Sequence, residues 1–157
     1  LKNGTTYSNT VTASDVTSTA LDAMTLVLQN QTDDIGEPMP MGSGTNYAVV
    51  PPKKIRKFKE MMDSEWQVGN ANNTINVWHT VGWILVSSPY LQASYGGSDT
   101  AWYIVDSMFS PLKDVNFKSV ENTTWYEEDT KAFVHDIQTE HKVGPEDWRG
   151  FVQNPGV

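Results

Sequence analysis

Three histidines, His79, His135 and His141, are the first residues whose chemistry could matter. A neutral imidazole binds metal ions and shuttles protons near neutral pH. Phe133, His135, Ile137, Thr139, His141 and Val143 alternate with polar neighbours. That spacing favours a strand over 131–143, although a helix would gather Phe133, Ile137 and His141. On a strand, His135 and His141 stand roughly 20 Å apart, too far to share one ion. His79 falls on another apparent strand, with no second His or paired carboxylate beside it. All three read as polar residues on half-exposed strands. No catalytic, cofactor-binding or metal-ligating residue is expected.

The acids cluster at Asp33-Asp34 and Glu127-Glu128-Asp129. Glycoside hydrolysis needs two carboxylates about 5–10 Å apart. Asp33 with Glu127 is the dispersed pair a hydrolase could use. Adjacent acids more commonly mark solvated turns. No calcium loop of alternating Asp and Asn with a terminal Glu is present. Gly42-Ser43-Gly44 could begin a phosphate loop, but Tyr47 stands where a third glycine belongs. No Gly-x-Ser-x-Gly elbow exists. With no cysteine, thiolate metal sites, thiol nucleophiles and disulfides are excluded together. Asn3-Gly4-Thr5, Asn30-Gln31-Thr32, Asn72-Asn73-Thr74 and Asn122-Thr123-Thr124 match the glycosylation pattern, which an Asn- and Thr-rich chain produces easily.

One basic cluster stands out. Five of the 11 Lys and Arg fall within 53–59. Such a face could meet phosphates, or it could be solvated and paired with acids. The net charge of −8 opposes general nucleic-acid binding. Any DNA would be met only non-specifically. Six Trp in 157 residues are many. Trp is enriched in cores and at protein–protein contacts.

The elements that would position these residues follow from pattern. The length suits about one domain, and the 38% hydrophobic share suits a globular chain. No apolar run approaches the ~20 residues of a membrane span, so no membrane partner is expected. The chain begins Leu1-Lys2-Asn3-Gly4, which reads as a piece of a longer protein. Residues 1–11 read as a disordered or truncated connector. Thr12 or Ser14 could cap a helix with Val16, Ala20, Met24, Val27 and Leu28 on one face, ending near Gln31. Residues 32–45 are loop by composition. Tyr47–Val50 reads as a buried strand, and Pro51-Pro52 opens a helix with Ile55, Phe58, Met61 and Met62 inward. Residues 74–86 read as a strand entering the middle of a sheet, with Gly82 as a bulge. Trp102–Val105 and 115–119 read as further strands. The tail 145–157 is rich in turn residues, with a change of character near Pro111. The class is α+β or mixed α/β around one main sheet.

Several stretches, in order, resemble major capsid proteins of tailed phages, the Hong Kong 97-type coat family. They are the helix of 15–31 followed by Asp34-Ile35-Gly36-Glu37-Pro38, then Tyr47-Ala48-Val49-Val50-Pro51-Pro52 and its helix. Asn76-Val77-Trp78, Ile84-Leu85-Val86-Ser87-Ser88-Pro89 and Ser98-Asp99-Thr100-Ala101-Trp102-Tyr103-Ile104-Val105-Asp106 come next. Val143-Gly144-Pro145-Glu146-Asp147-Trp148-Arg149-Gly150 closes the series. The resemblance implies an α+β fold, with 12–112 as an axial domain holding a central mixed sheet flanked by helices. It implies a long β-arm in 113–157, the C-terminal peripheral-domain segment. The family's N-terminal arm, extended loop and spine helix find no counterpart, so the chain resembles the C-terminal half of a coat protein. No Lys–Asn crosslinking pair is matched.

The implied function is structural, with no catalysis and no cofactor: self-assembly into the pentamers and hexamers of an icosahedral head. The implied location is the virion, assembled in the bacterial cytoplasm. Other copies of the chain are the expected partners, with scaffolding or decoration proteins beside them. Trp66, Trp125, Trp148, Arg149 and Phe151 are the expected subunit-interface residues, because aromatic and Arg side chains anchor such contacts. The rival readings are a small binding or adhesion module and the dispersed acidic hydrolase.

Overall fold

Thr17, rather than Thr12 or Ser14, starts the first helix. Its hydroxyl accepts the Ala20 N–H at 3.2 Å. The reason is tertiary: Asp15 and Ser14 are engaged elsewhere. Asp15 accepts the Val16 N–H and the Lys54 ammonium, and the Ser14 N–H donates to Asn154. The computed structural model describes residues 8–42, 44–67, 74–109 and 112–157. The sequence features at Asn3, Ser43, Asn72 and Pro111 lie outside these residues.

Helix α1 spans Ser18–Gln29 and buries Ala20, Leu21, Met24 and Leu28, the spacing of one helical face. Strand β1 is Asn46–Val50. Helix α2, Ile55–Asp63, follows the two prolines and buries Phe58 and Met61. Strand β2 is Ile84–Ser87 and β3 is Trp102–Asp106. Strands β4, Leu112–Glu127, and β5, Ala132–Pro145, form a long hairpin. Strand β6 is Phe151–Asn154.

The chain divides into two units, Leu1–Pro111 with Trp148–Val157, and Leu112–Asp147. The first holds a mixed sheet of order β2-β1-β3-β6, parallel between β1 and β2 and antiparallel elsewhere. Ala48, Val50, Trp102, Ile104 and Val152 form its buried face and share one core with the buried residues of both helices. Phe58 meets Trp102 edge to face at 4.9 Å. The expected strands at 47–50 and 102–105 and the helix after Pro51-Pro52 are therefore present.

Several expectations need correction. The stretch 74–86 is not one strand entering mid-sheet. Val77–Thr80 is a single 3-10 turn, and only Ile84–Ser87 is strand, at the sheet's edge. Buried Asn76 decides this. Its Oδ1 accepts the Trp78 N–H, and its Nδ2 donates to the Met61 and Ser64 carbonyls. A side chain satisfying three backbone groups outweighs a β-like apolar run. Gly82 has φ +68° in the turn before β2, a conformation cheap only for glycine, and is not a bulge within a strand.

Residues 9–11 are not a frayed connector. Val11 N–H donates to the Gln153 carbonyl, and Gln153 N–H donates to that of Asn9. The segment 113–157 is also divided. Its last part, Trp148–Val157, returns to the first unit because β6 completes the sheet beside β3. Both helices share the core on one face of the sheet.

The second unit is the β4–β5 hairpin, antiparallel throughout. The strand reading of 131–143 holds. Lys131 turns the chain with φ 55°.

Candidate functional site

Each sequence-level catalytic feature is committed to local structure. Asp33 Oδ1 accepts the N–H groups of Ile35 and Glu37, both at 2.9 Å, which fixes its own turn. Glu127 accepts the Thr130 hydroxyl at 2.7 Å, which fixes the hairpin turn. The two acids lie in different units. His79 sits on the 3-10 turn rather than a strand, its Nδ1 3.1 Å from the Met62 carbonyl. His135 Nδ1 is 2.9 Å from the Thr124 hydroxyl. Among the described residues no three His, Asp or Glu gather to hold a metal ion. No described helix is long and apolar enough to cross a membrane.

The basic helix is largely neutralised within the chain. Lys53 pairs with Asp99, Lys54 and Lys57 with Asp15, and Arg56 with Glu60. The Lys57 ammonium, aided by Lys54 and the Val16 N–H, holds the Asp15 carboxyl well below the usual carboxylate range, against the opposing effect of partial burial. The cluster is a stitch between α2 and the residue three positions before α1. Phosphate recognition finds no support in it.

What remains is exposed apolar surface, in two places. The first is the hairpin. Phe117, Val120, Phe133 and Ile137 are each about 70% exposed, and Leu112, Val143, Trp125 and Tyr126 stand well out in solvent. An isolated two-stranded ribbon is marginal in water at best, and this one leaves its apolar side chains uncovered.

The register sorts the hairpin into two faces, since residues opposite each other point the same way. Tyr126 faces Phe133, Thr124 faces His135, Asn122 faces Ile137 and Asp114 faces Val143. Tyr126 and Phe133 stack with centroids 5.1 Å apart. That face carries one acid. The other pairs Trp125 with Val134, Thr123 with Asp136, Glu121 with Gln138, Lys118 with Glu140 and Val115 with Lys142. It carries most of the charges. Between Asn116 and Glu121, β4 gains two residues relative to β5 in two register shifts. Each shift would swap the faces; together they restore them.

The second apolar surface is the sheet face opposite the helices. The register places Ile84, Tyr47, Val105 and Phe151 in one row across four strands, and Val86, Val49, Tyr103 and Gln153 in the next. Seven of these eight positions are apolar or aromatic, and all eight remain partly or fully accessible. This row pattern is a product of strand order and could not be read from local alternation.

The five expected interface residues are placed as follows. Trp66 is 53% and Trp125 45% exposed. Phe151 belongs to the bare sheet face. Trp148 and Arg149 are engaged within the first unit: the Arg149 guanidinium lies 5.4 Å from the Trp148 ring and pairs with Asp34. That pairing ties the 33–38 turn to the start of β6. Trp125 belongs to the second unit and the other four to the first.

A family model for phage capsid protein matches residues 1–154. The chain belongs to the phage capsid protein family. A capsid protein is a structural component of the virion and works as many copies, which accords with the uncovered apolar surface. The fold is also similar to that of a virus-like particle from Pyrococcus furiosus, at 9% identity and a TM-score of 0.48, over 97% of this chain and 58% of that one. A satellite phage P4 procapsid including size determination (Sid) protein is similar at 12% identity and a TM-score of 0.42, over 93% of this chain and 46% of that one. The capsid protein thus spans about half of the solved chains it matches. No curated protein matches it. Sequence reasoning missed Phe117, Phe133 and Ile137 as capsid surface. The signal was available: they lie in an unusually long strand pattern that is half polar.

Proposed function

We propose that this chain is the C-terminal half of a major capsid protein of a tailed phage or prophage, assembling in the bacterial cytoplasm into the pentamers and hexamers of an icosahedral head. The two-unit division supports an axial-domain role for the sheet unit and a peripheral β-arm role for the hairpin. Its action is structural and not catalytic. Copies of itself are its main partners, scaffolding or decoration proteins its secondary ones, and packaged DNA a non-specific one.

The observation that carries this reading is the hairpin, a 34-position ribbon from Leu112 to Pro145 whose large apolar residues face water. A shell subunit needs several modest contacts per neighbour, so that misplaced copies can leave. Trp125 and Trp66 are direct anchors in this scheme, and Phe151 contributes through the bare sheet face. Trp148 and Arg149 set the edge of that surface by fixing the Asp34 turn. Electron microscopy of the complete coat protein is expected to show rings or icosahedral particles. Monomers persisting at high concentration overturn the reading.

A further inference from the structure

The charged face of the ribbon is polarised along its length. Toward the open end, Lys113, Lys118 and Lys142 are balanced by Glu140, Glu146 and Asp147. Toward the turn, Glu121, Asp136 and Glu127 are joined by Glu128 and Asp129, against Lys131 alone. Some of this charge is used locally: Lys113 pairs with Glu146 at 2.9 Å and Lys118 with Glu121 at 2.7 Å. The Lys118 ammonium beside Glu121 holds its carboxyl below the usual range. Lys142 makes no ion pair among the described residues.

The same face carries a socket and a knob. The socket is an open cleft of about 260 Å³ lined by Lys113, Val115, Phe117, Lys142, Gly144 and Glu146. Gly144 leaves its floor clear, since nothing lies within 4 Å of where a Cβ would stand. The knob is Trp125, half exposed beside Val134 on the acidic half. Aromatic faces attract ammonium groups, and an acidic turn is repelled by a second acidic turn but not by a charge-balanced end.

We propose that two copies pair ribbon to ribbon, antiparallel and two-fold, each seating its Trp125 in the other's Lys113–Lys142 cleft. A two-fold contact must be self-complementary, and only the antiparallel arrangement keeps the two acidic turns apart and sets each against the lysines of the other's open end. This deepens the capsid reading and rests on it, with a second copy as the occupant. The less charged face, with Tyr126, Phe133 and Ile137, is left for other neighbours.

The test is a charge swap read by sedimentation velocity at low salt. K113E/K142E makes both ends of the ribbon acidic; E127K/E128K/D129K makes the turn basic. Each variant alone is expected to weaken self-association at least about tenfold. An equimolar mixture of the two restores it, because the acidic open end of one variant then meets the basic turn of the other. Trp125→Ala weakens association in the wild type and in the mixture alike. Recovery on mixing also shows that both variants are folded. Wild-type association that neither variant weakens, or a mixture that fails to recover, overturns the ribbon pairing while leaving the capsid reading standing. A wild-type chain that never associates overturns both, and this is read before any variant is made.

Discussion

Asn154 and Ser14, 140 residues apart, clasp each other by both backbone and side chain. The Ser14 N–H donates to Asn154 Oδ1 at 3.1 Å, and Asn154 Nδ2 donates to the Ser14 hydroxyl at 2.8 Å. Asn154 is fully buried, and its Oδ1 also accepts the Gly156 N–H at 2.9 Å. One amide thus joins the segment before α1, the last sheet strand and the chain's end.

Replacing Asn154 with Ala strands the Ser14 and Gly156 N–H groups. Leaving buried donors unpaired costs about 1–3 kcal/mol each, partly recovered if water enters. We expect Asn154→Ala to lower unfolding stability by about 2 kcal/mol or more, measured by urea denaturation. Asn154→Asp retains the acceptor and is expected to cost less.

Asp15 gives the first unit an acid-sensitive contact. Its carboxyl is depressed in the folded state by Lys57, with Lys54 and the Val16 N–H adding to the effect. A depressed carboxyl stabilises the fold above its unfolded value near 3.8 and loses that contribution as pH falls toward the folded value. Asp15→Asn is expected to cost about 1 kcal/mol at neutral pH, because solvent screens a side chain this exposed. The gap between wild type and variant narrows below about pH 4. Thermal melts across pH check this; a gap that widens on acidification contradicts the assignment.

Gly97 is required for contact rather than for φ. A Cβ there would sit 2.2 Å from the Leu91 carbonyl oxygen, a backbone atom that cannot swing away. Ser98 N–H donates to that same carbonyl at 2.7 Å. Gly97→Ala is expected to destabilise by about 1–3 kcal/mol. Loss of protection at the Ser98 amide, seen by hydrogen exchange, locates the damage in the 88–99 loop.

The ribbon and the sheet unit should differ in amide protection. Core strands open only with the whole unit, whereas few buried contacts hold a lone hairpin. In dissociated protein, amides of 112–145 are expected to exchange far faster than those of β1 and β3. In assembled particles the ribbon amides gain protection. Equal exchange in both states contradicts burial of the ribbon by neighbours.

The sequence by itself determined the local elements and the character of their faces. Apolar spacing at Ala20, Met24 and Leu28 and at Phe58 and Met61 belongs to a helix, because side chains three and four apart share a side. Alternation over 115–119 and 131–143 belongs to strands for the equivalent reason. Ordered motifs placed the chain among phage coat proteins, and Trp125 and Trp66 stood out by type alone. Tertiary structure decided the rest. Asn76 turned an apolar run into a 3-10 turn because its three partners come from two separate stretches of chain. Asp15 and Ser14 left the helix start to Thr17 because Lys57 and Asn154 claim them from 42 and 140 residues away. The bare sheet face exists because β6 returns beside β3, and the ribbon's two faces exist because two register shifts cancel. Such features depend on which distant groups meet, and local pattern carries no record of that.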